Sequence, residues 1–128
     1  MMRPLLRIET RRVEPDIMVL EFTGKITMGP GSKSTEEAVL ELLRHNETKF
    51  IFDLSAVEYV DSMGMGSIAY CFAKVMRAEG GFRVAGTSDR VRQLFKITRM
   101  DTVLSFYPTV AAACADFTIT KYPGQNPW

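Results

Sequence analysis

The sequence has few of the residues that build metal sites and covalent catalytic sites. Its 128 residues include one histidine, His45, and two widely spaced cysteines, Cys71 and Cys114. A structural zinc site needs about four ligands at characteristic spacing, and a serine nucleophile is normally activated by a neighbouring base such as histidine. We therefore expect no metal, no cofactor and no enzymatic activity, with His45 solvated at a helix end and both thiols reduced and packed among apolar neighbours.

The sequence also lacks a clear excess of one charge sign and long apolar runs. The formal net charge is +1, whereas a nucleic-acid partner requires a clear positive excess or a basic patch. No apolar run approaches the ~18–20 residues of a membrane-spanning helix. The N-terminal residues, MMRPLLRIETRR, have no signal-peptide core. We expect a cytoplasmic protein with neither nucleic acid nor membrane as its partner.

The length and composition are typical of one globular domain. Hydrophobic residues make up 46% of the chain and charged residues 24%. A chain of this size buries roughly two-thirds of the surface that its unfolded form exposes, so it folds without a disulfide or a metal. No repeat or linker divides it. We predict a domain over residues 1–117 and a C-terminal tail, 118–128, in which turn-forming residues are frequent.

Strand patterns and helix patterns alternate along the chain. A short turn at residues 14–16 between two strands predicts an antiparallel hairpin. The predicted elements are strands at 5–13 and 17–22, a loop at 24–31, a helix capped by Ser34 and Glu37 and ending near 44–46, a strand at 50–54, a loop at 55–60, a helix from Asp61 or Ser62, a strand at 82–85, a helix from Ser88 or Asp89, a strand at 103–106 and a helix at 109–117. This order predicts an α/β fold: a single-domain mixed, mostly parallel β-sheet with helices packed against it.

The segment YVDSMGMGS, residues 59–67, crosses a junction between a strand and a helix. Asp61 or Ser62 suits the N-cap of the helix, which is worth ~1 kcal/mol. Capping does not explain Gly64 and Gly66, since each glycine costs roughly 1 kcal/mol relative to alanine inside a helix. We interpret these glycines as clearing an exposed face, so that another backbone or a phosphate approaches closely. The pattern predicts an exposed Ser62 hydroxyl that a partner or a kinase can reach.

The residues around this junction resemble a family signature. Asp53-Leu54-Ser55 and the following residues 57–66 are similar to DLS…(F/Y)hDSSGhG, where h is hydrophobic. This is the signature of bacterial anti-sigma factor antagonists, which are STAS domains. The segments GGFRVAG, at residues 80–86, and 91–117 also look like the second half of that family. The order of strands and helices agrees with the family over roughly residues 5–117.

The resemblance implies a binding module that phosphorylation switches. In the family, the serine that follows the aspartate is phosphorylated, and Ser62 occupies that position here. The kinase is the partner itself, an anti-sigma factor with serine kinase activity that uses ATP. The unphosphorylated antagonist sequesters this partner and releases a sigma factor, and a metal-dependent serine phosphatase reverses the modification.

The resemblance also implies which residues bind the partner. They are Asp61, Ser62, Met63, Gly64, Met65 and Gly66, together with Thr27, Met28 and Gly29 of the earlier loop. Two positions depart from the family pattern. Met63 replaces the second serine of the signature, which leaves Ser62 as the acceptor in the motif. Thr27 follows Ile26 where the family often has aspartate, and this difference bears on the choice of partner.

Two other functions stay open. Some STAS domains build stress-signalling complexes or accompany lipid transporters, so the chain is alternatively a scaffold. The same helix start, whose GMG segment at 64–66 is half of a dinucleotide-binding loop, also fits a small-ligand or nucleotide binder. Large assemblies of the purified protein would favour the scaffold. A melting temperature that rises with nucleotide concentration would favour the binder.

Overall fold

The alternating strand and helix patterns of the sequence fold into one layered sheet. The structure is a computed structural model that describes residues 6–119, and within them the predicted element order is confirmed. The elements are β1 (Leu6–Val13), β2 (Ile17–Ile26), α1 (Pro30–Arg44), β3 (Lys49–Val60), α2 (Ser62–Arg77), β4 (Gly81–Ala85), α3 (Asp89–Ile97), β5 (Ser105–Tyr107) and α4 (Val110–Ile119). A short 3-10 helix, Met100–Thr102, lies between α3 and β5.

The sheet contains the strands in chain order, β1-β2-β3-β4-β5. β1 and β2 pair antiparallel, as expected of a hairpin with a short turn. The pairs β2–β3, β3–β4 and β4–β5 are parallel, because a helix connects each strand to the next. The prediction of a mixed, mostly parallel sheet is therefore confirmed.

Apolar side chains fill both faces of the sheet. On one face the rings of Phe22, Phe52 and Phe82 pack in a row, tilted to one another, with centroids 4.7 and 4.6 Å apart. Side chains of α1, α2 and α3 cover them and form the main core. On the other face, Ile51 and its neighbours form a smaller cluster with four residues of α4: Val110, Ala113, Cys114 and Phe117. Strands covered on both faces carry apolar residues at successive positions, which is why residues 50–52, near the start of β3, form an unbroken apolar run.

β3 is longer than the sequence predicts. The prediction that residues 55–60 form a loop is wrong, because these residues pair with the second half of β2. Two register shifts interrupt that pairing, and Leu54, Val57 and Val60 are buried three residues apart. A three-residue spacing is not the two-residue period of a regular strand, so the alternation pattern does not reveal it.

α1 begins earlier than predicted. The capping box at Ser34 and Glu37 is wrong, since both residues lie inside the helix. Pro30 occupies the first helical position, where its missing N–H has no helical partner in any case. Gly29 precedes it with a φ of 91°, a conformation that favours glycine. The predicted loop at 24–31 shrinks to a short turn, because β2 continues as far as Ile26.

Several predicted helix boundaries are confirmed. Ser88 caps α3 by accepting the N–H of Val91 at 3.2 Å, which decides between Ser88 and Asp89. α1 ends at Arg44, and Asn46 has a φ of 65°, the left-handed conformation expected after a helix. His45 lies exposed at the C-cap of α1, as predicted. Cys71 and Cys114 are free thiols, buried and partly buried respectively.

The predicted tail overlaps the last helix. α4 runs to Ile119, so residues 118 and 119 belong to it, and residues 120–128 lie outside the described part of the chain. Across residues 6–119, none of the helices has both the length and the apolar character needed to cross a membrane.

Candidate functional site

Asp61 connects the end of β3 to the start of α2. Its backbone N–H donates to the carbonyl oxygen of Ile26, the last residue of β2, at 3.2 Å. Its side chain caps α2: Oδ1 accepts the N–H of Gly64 at 2.7 Å. The sequence left Asp61 and Ser62 as alternative caps, and the structure assigns the cap to Asp61. Ser62 is therefore the first residue of the helix.

The second carboxylate oxygen of Asp61 reaches a different segment. Oδ2 accepts the N–H of Met28, in the turn between β2 and α1, at 3.0 Å. A hydrogen bond to an ionised carboxylate is shorter and stronger than one between neutral groups. One side chain thus joins residues 27–29 to the start of α2. The two segments that the sequence predicts as partner-binding are brought together.

Exposed residues of these two segments form one patch, which we call the contact surface: Met28, Gly29, Ser62, Met63 and Gly66. The Met28 residue is 69% exposed and Met63 is 53% exposed, so two long apolar side chains accompany the Ser62 hydroxyl. Gly66 lies one helical turn after Ser62 on the same side of α2. A Cβ atom on Gly66 would meet no heavy atom within 4 Å, so the surface there is open.

Gly64 and Met65 lie beneath the contact surface. A Cβ atom on Gly64 would be 2.7 Å from the carbonyl carbon of Ile26 and would overlap its oxygen. Met65 is 4% exposed and belongs to the main core. The prediction that Gly64 clears an exposed face is wrong, because Gly64 instead makes room for the backbone of β2. Gly64 and Met65 therefore support the contact surface without being exposed on it. Thr27, next to Met28 in the chain, is partly buried.

A buried polar contact between α1 and α2 is absent from the sequence prediction. The Ser67 hydroxyl, 2% exposed as a residue, donates to Oε2 of Glu36 at 2.6 Å. One turn further along α2, Cys71 lies in the same seam, where its Sγ is 3.8 Å from the carbonyl oxygen of Thr35. Burial raises the pKa of the Cys71 thiol to about 12, and the charge of Glu36 adds to this shift. The sequence signal for this contact is Ser67 itself, a polar residue at a core position of an amphipathic helix.

A cation lies beside the last residues of β3. The guanidinium carbon of Arg90, in the first turn of α3, is 5.9 Å from the centroid of the Tyr59 ring. Tyr59 is exposed and stands two residues before Asp61. The sequence does not show this pairing, because the two residues are far apart along the chain. The contact brings the first turn of α3 next to the last residues of β3.

The arrangement offers an exposed hydroxyl. Across residues 6–119, no group of three or more histidine, cysteine, aspartate and glutamate side chains is placed to hold a metal ion. The Nδ1 atom of His45 lies 2.9 Å from the carbonyl oxygen of Glu41 in its own helix. Ser62, by contrast, stands at the positive end of the α2 dipole, where an added negative charge is stabilised. The site suits acceptance of a phosphoryl group and contact with another protein.

The fold and the site together define an α/β domain with an exposed serine at the start of the helix after its central strand. The profile of the STAS domain family matches residues 9–113. The chain belongs to the STAS domain family.

Similar proteins carry the name of anti-sigma factor antagonists. A Thermotoga neapolitana protein, named as a candidate anti-sigma factor antagonist, is 30% identical over 73 residues; the match covers 57% of this chain and 65% of that protein. Among solved structures, a candidate anti-sigma factor antagonist from Thermotoga maritima has a TM-score of 0.79 at 20% identity, covering 85% of this chain and 92% of that one. The phosphorylated form of the Bacillus cell fate determinant SpoIIAA has a TM-score of 0.69 at 13% identity, covering 87% and 99%. At these identities the two structures establish the shared fold.

Proposed function

We propose that this protein is an anti-sigma factor antagonist and that phosphorylation of Ser62 controls its binding. The observation that carries the proposal is the Ser62 hydroxyl, exposed at the first position of α2 on a surface that Asp61 assembles from two segments. The names of the curated relatives support the same function.

The proposed partner is an anti-sigma factor with serine kinase activity. The unphosphorylated antagonist binds it in the cytoplasm through the contact surface and thereby frees a sigma factor. The kinase then transfers a phosphoryl group from ATP to Ser62, which ends the interaction, and a serine phosphatase restores the binding form. Met28 and Met63 supply the apolar part of the contact, since flexible thioether side chains adapt well to a partner surface.

Electrostatics explains why such a modification changes binding more than folding. A phosphate on Ser62 adds about −1.5 to −2 charges at neutral pH. The helix dipole favours this charge and the carboxylate of Asp61 opposes it, each by on the order of 1 kcal/mol. At an interface the phosphate must instead lose water or face a like charge, which costs several kcal/mol, and every ~1.4 kcal/mol changes affinity tenfold.

The decisive experiment pairs this chain with purified kinase-type anti-sigma factors from its own organism. Mass spectrometry after incubation with ATP should find one phosphate, on Ser62. The Ser62→Ala variant should accept none, whereas Ser55→Ala, which removes an exposed hydroxyl on β3, should be modified like the wild type. Phosphate found on Ser55 or Ser67 in place of Ser62 would contradict the assignment.

Calorimetric titration measures the switch itself. Ser62→Ala should bind the same partner as tightly as the unmodified wild type. Ser62→Glu should bind at least about a hundredfold more weakly. Because a carboxylate carries less charge than a phosphate, the phosphorylated wild type is titrated beside it. Equal affinity of the phosphorylated and unphosphorylated proteins would overturn the proposed function.

A further inference from the structure

Two exposed thioethers flank the Ser62 hydroxyl. Met28 and Met63 come from different segments, and the Asp61 carboxylate places both at the contact surface through the backbone N–H of Met28 and the start of α2. Met18 and Met65, by comparison, are 7% and 4% exposed and lie in the core. Susceptibility to oxidation follows exposure. The methionines that an oxidant reaches at this surface are the ones that a partner would cover.

The thiols of the chain are protected from the same oxidants. The thiolate is the reactive form of cysteine, so a raised pKa slows oxidation. Burial raises the pKa of Cys71 to about 12 and also raises the pKa of the partly buried Cys114. The thioethers of Met28 and Met63 are therefore better placed than either thiol to react with a mild oxidant.

We propose that Met28 and Met63 are oxidation sites and that their conversion to methionine sulfoxide by a peroxide weakens partner binding without any change at Ser62. The partner effect rests on the proposed function, whereas the sites themselves do not. This gives the contact surface a second, redox-controlled input beside phosphorylation.

The chemistry needs one equivalent of peroxide per methionine. A lone pair of the thioether sulfur attacks one peroxide oxygen, the O–O bond breaks and an S–O bond forms. The sulfur loses two electrons. The departing hydroxide takes up the proton of the transferred oxygen and leaves as water. The product is a polar, chiral side chain in place of a flexible apolar one, and reductases specific for methionine sulfoxide reverse it. A partner surface shaped to cover a thioether must then desolvate a strong acceptor.

Peptide mapping tests the sites without any partner. The full chain is treated with hydrogen peroxide, digested and analysed by mass spectrometry over time. Met28 and Met63 should form sulfoxide at least about tenfold faster than the buried Met18 and Met65. Met76, 48% exposed in the last turns of α2, is an internal reference for an accessible thioether away from the contact surface. If Met76 is oxidised while Met28 and Met63 stay reduced, the proposal is wrong.

Binding tests the consequence. Peroxide is removed before the kinase-type anti-sigma factor is added, so that only this chain is oxidised. The oxidised wild type should bind at least about tenfold more weakly, and treatment with the sulfoxide reductases should restore the affinity. The double variant Met28→Leu, Met63→Leu should bind equally well before and after peroxide, whereas Met76→Leu should lose affinity like the wild type.

The outcomes separate this proposal from the function on which it rests. Sulfoxide at Met28 and Met63 with unchanged affinity would overturn the redox input and leave the phosphorylation switch standing. The same loss of affinity in the double leucine variant would also overturn it, since the effect would then come from another residue. If the untreated chain binds no kinase-type anti-sigma factor, the proposed function fails, and the peptide map alone still decides whether the two methionines are oxidation sites.

Discussion

The carbonyl oxygen of Ile26 occupies the space in which a side chain on Gly64 would begin. The same oxygen accepts the backbone N–H of Asp61 at 3.2 Å. The last residue of β2 and the first turn of α2 are therefore in direct backbone contact, and no side chain separates them. This contact sets the position of Ser62 relative to the sheet, and it gives the two glycines near the start of α2 opposite roles.

Alanine should distinguish Gly64 from Gly66. Gly64→Ala forces a Cβ atom against the Ile26 backbone and should lower the free energy of unfolding by about 1–3 kcal/mol or more. Gly66→Ala meets open space and should raise it by roughly 0.5–1 kcal/mol, because glycine is the poorer helix former. Urea denaturation of both variants measures the difference. Equal stability of the two would show that α2 does not approach β2 as closely as described.

A large side chain at Gly66 should obstruct the partner and leave the fold intact. Gly66→Leu should match or exceed the wild type in melting temperature. It should nevertheless bind the anti-sigma factor at least about tenfold more weakly, if the partner approaches the helix closely there. Titration calorimetry checks this, with Ala73→Leu, an exposed position two turns further along α2, as the matched control. Normal binding by Gly66→Leu would place the partner elsewhere.

Two substitutions of Asp61 should remove different numbers of its side-chain hydrogen bonds. Asp61→Ala removes both and should cost about 0.5–2 kcal/mol for the cap alone. Asp61→Asn retains one oxygen and should lie between alanine and the wild type, since its NH2 group cannot accept the other N–H. Hydrogen exchange at the Met28 amide reports the second bond directly and should accelerate in Asp61→Ala. Unchanged protection of that amide would mean that Asp61 does not hold the 27–29 segment.

The two cysteines should react with an alkylating reagent at different rates. Because burial raises the pKa of Cys71 to about 12, only on the order of one thiol in ten thousand is ionised at pH 8. Cys114 is less buried and should label at least about tenfold faster in the native protein. The labelling rate of Cys71 should still be rising above pH 9. Peptide mapping in native buffer and in urea checks both statements, and rapid native labelling of Cys71 would contradict its burial.

Acid should weaken one link between the hairpin and the turn that follows α1. Arg12 donates to Glu47 through both terminal nitrogens, one of them at 3.0 Å from Oε1, and this hydrogen bonding lowers the pKa of Glu47 below its ordinary value of 4.5. A lowered carboxylate pKa contributes stability that is present above pH ~4.5 and is lost as the pH falls through the folded-state value. Urea denaturation between pH 7 and pH 3 should show a shallower acid loss for Glu47→Gln. Arg12→Gln should have the same effect, and a steeper loss in either variant would contradict the link.

The element order and the cap region could be predicted because local chemistry determines them. The hairpin turn, the apolar start of β3 and the Ser88 cap each depend on residues that are close along the chain. Asp61 and Ser62 were recognisable at the start of α2 for the same reason. Exposure of Ser62 followed from its place at a helix terminus, and the structure agrees.

The errors arise where distant segments decide the structure. The continuation of β3 to Val60 depends on its pairing with β2, and the register shifts conceal the strand period. The burial of Gly64 depends on Ile26, and the Ser67–Glu36 hydrogen bond joins two helices. Ile26 is far from Gly64 along the chain, and Glu36 is far from Ser67. A single sequence shows that a glycine is needed but not which backbone needs the room.

The direction of α4 has a consequence for how this domain can be built into larger proteins. The ring of Phe117, in the last turns of α4, packs against Gly81, the first residue of β4. The end of α4 therefore lies at the end of the sheet where the parallel strands start. Ser62 follows the end of β3 and lies at the opposite end of the strands. A second module, a fluorophore or a surface tether joined just after α4 would begin on the far side of the sheet from Ser62. Such a fusion leaves Ser62 unobstructed.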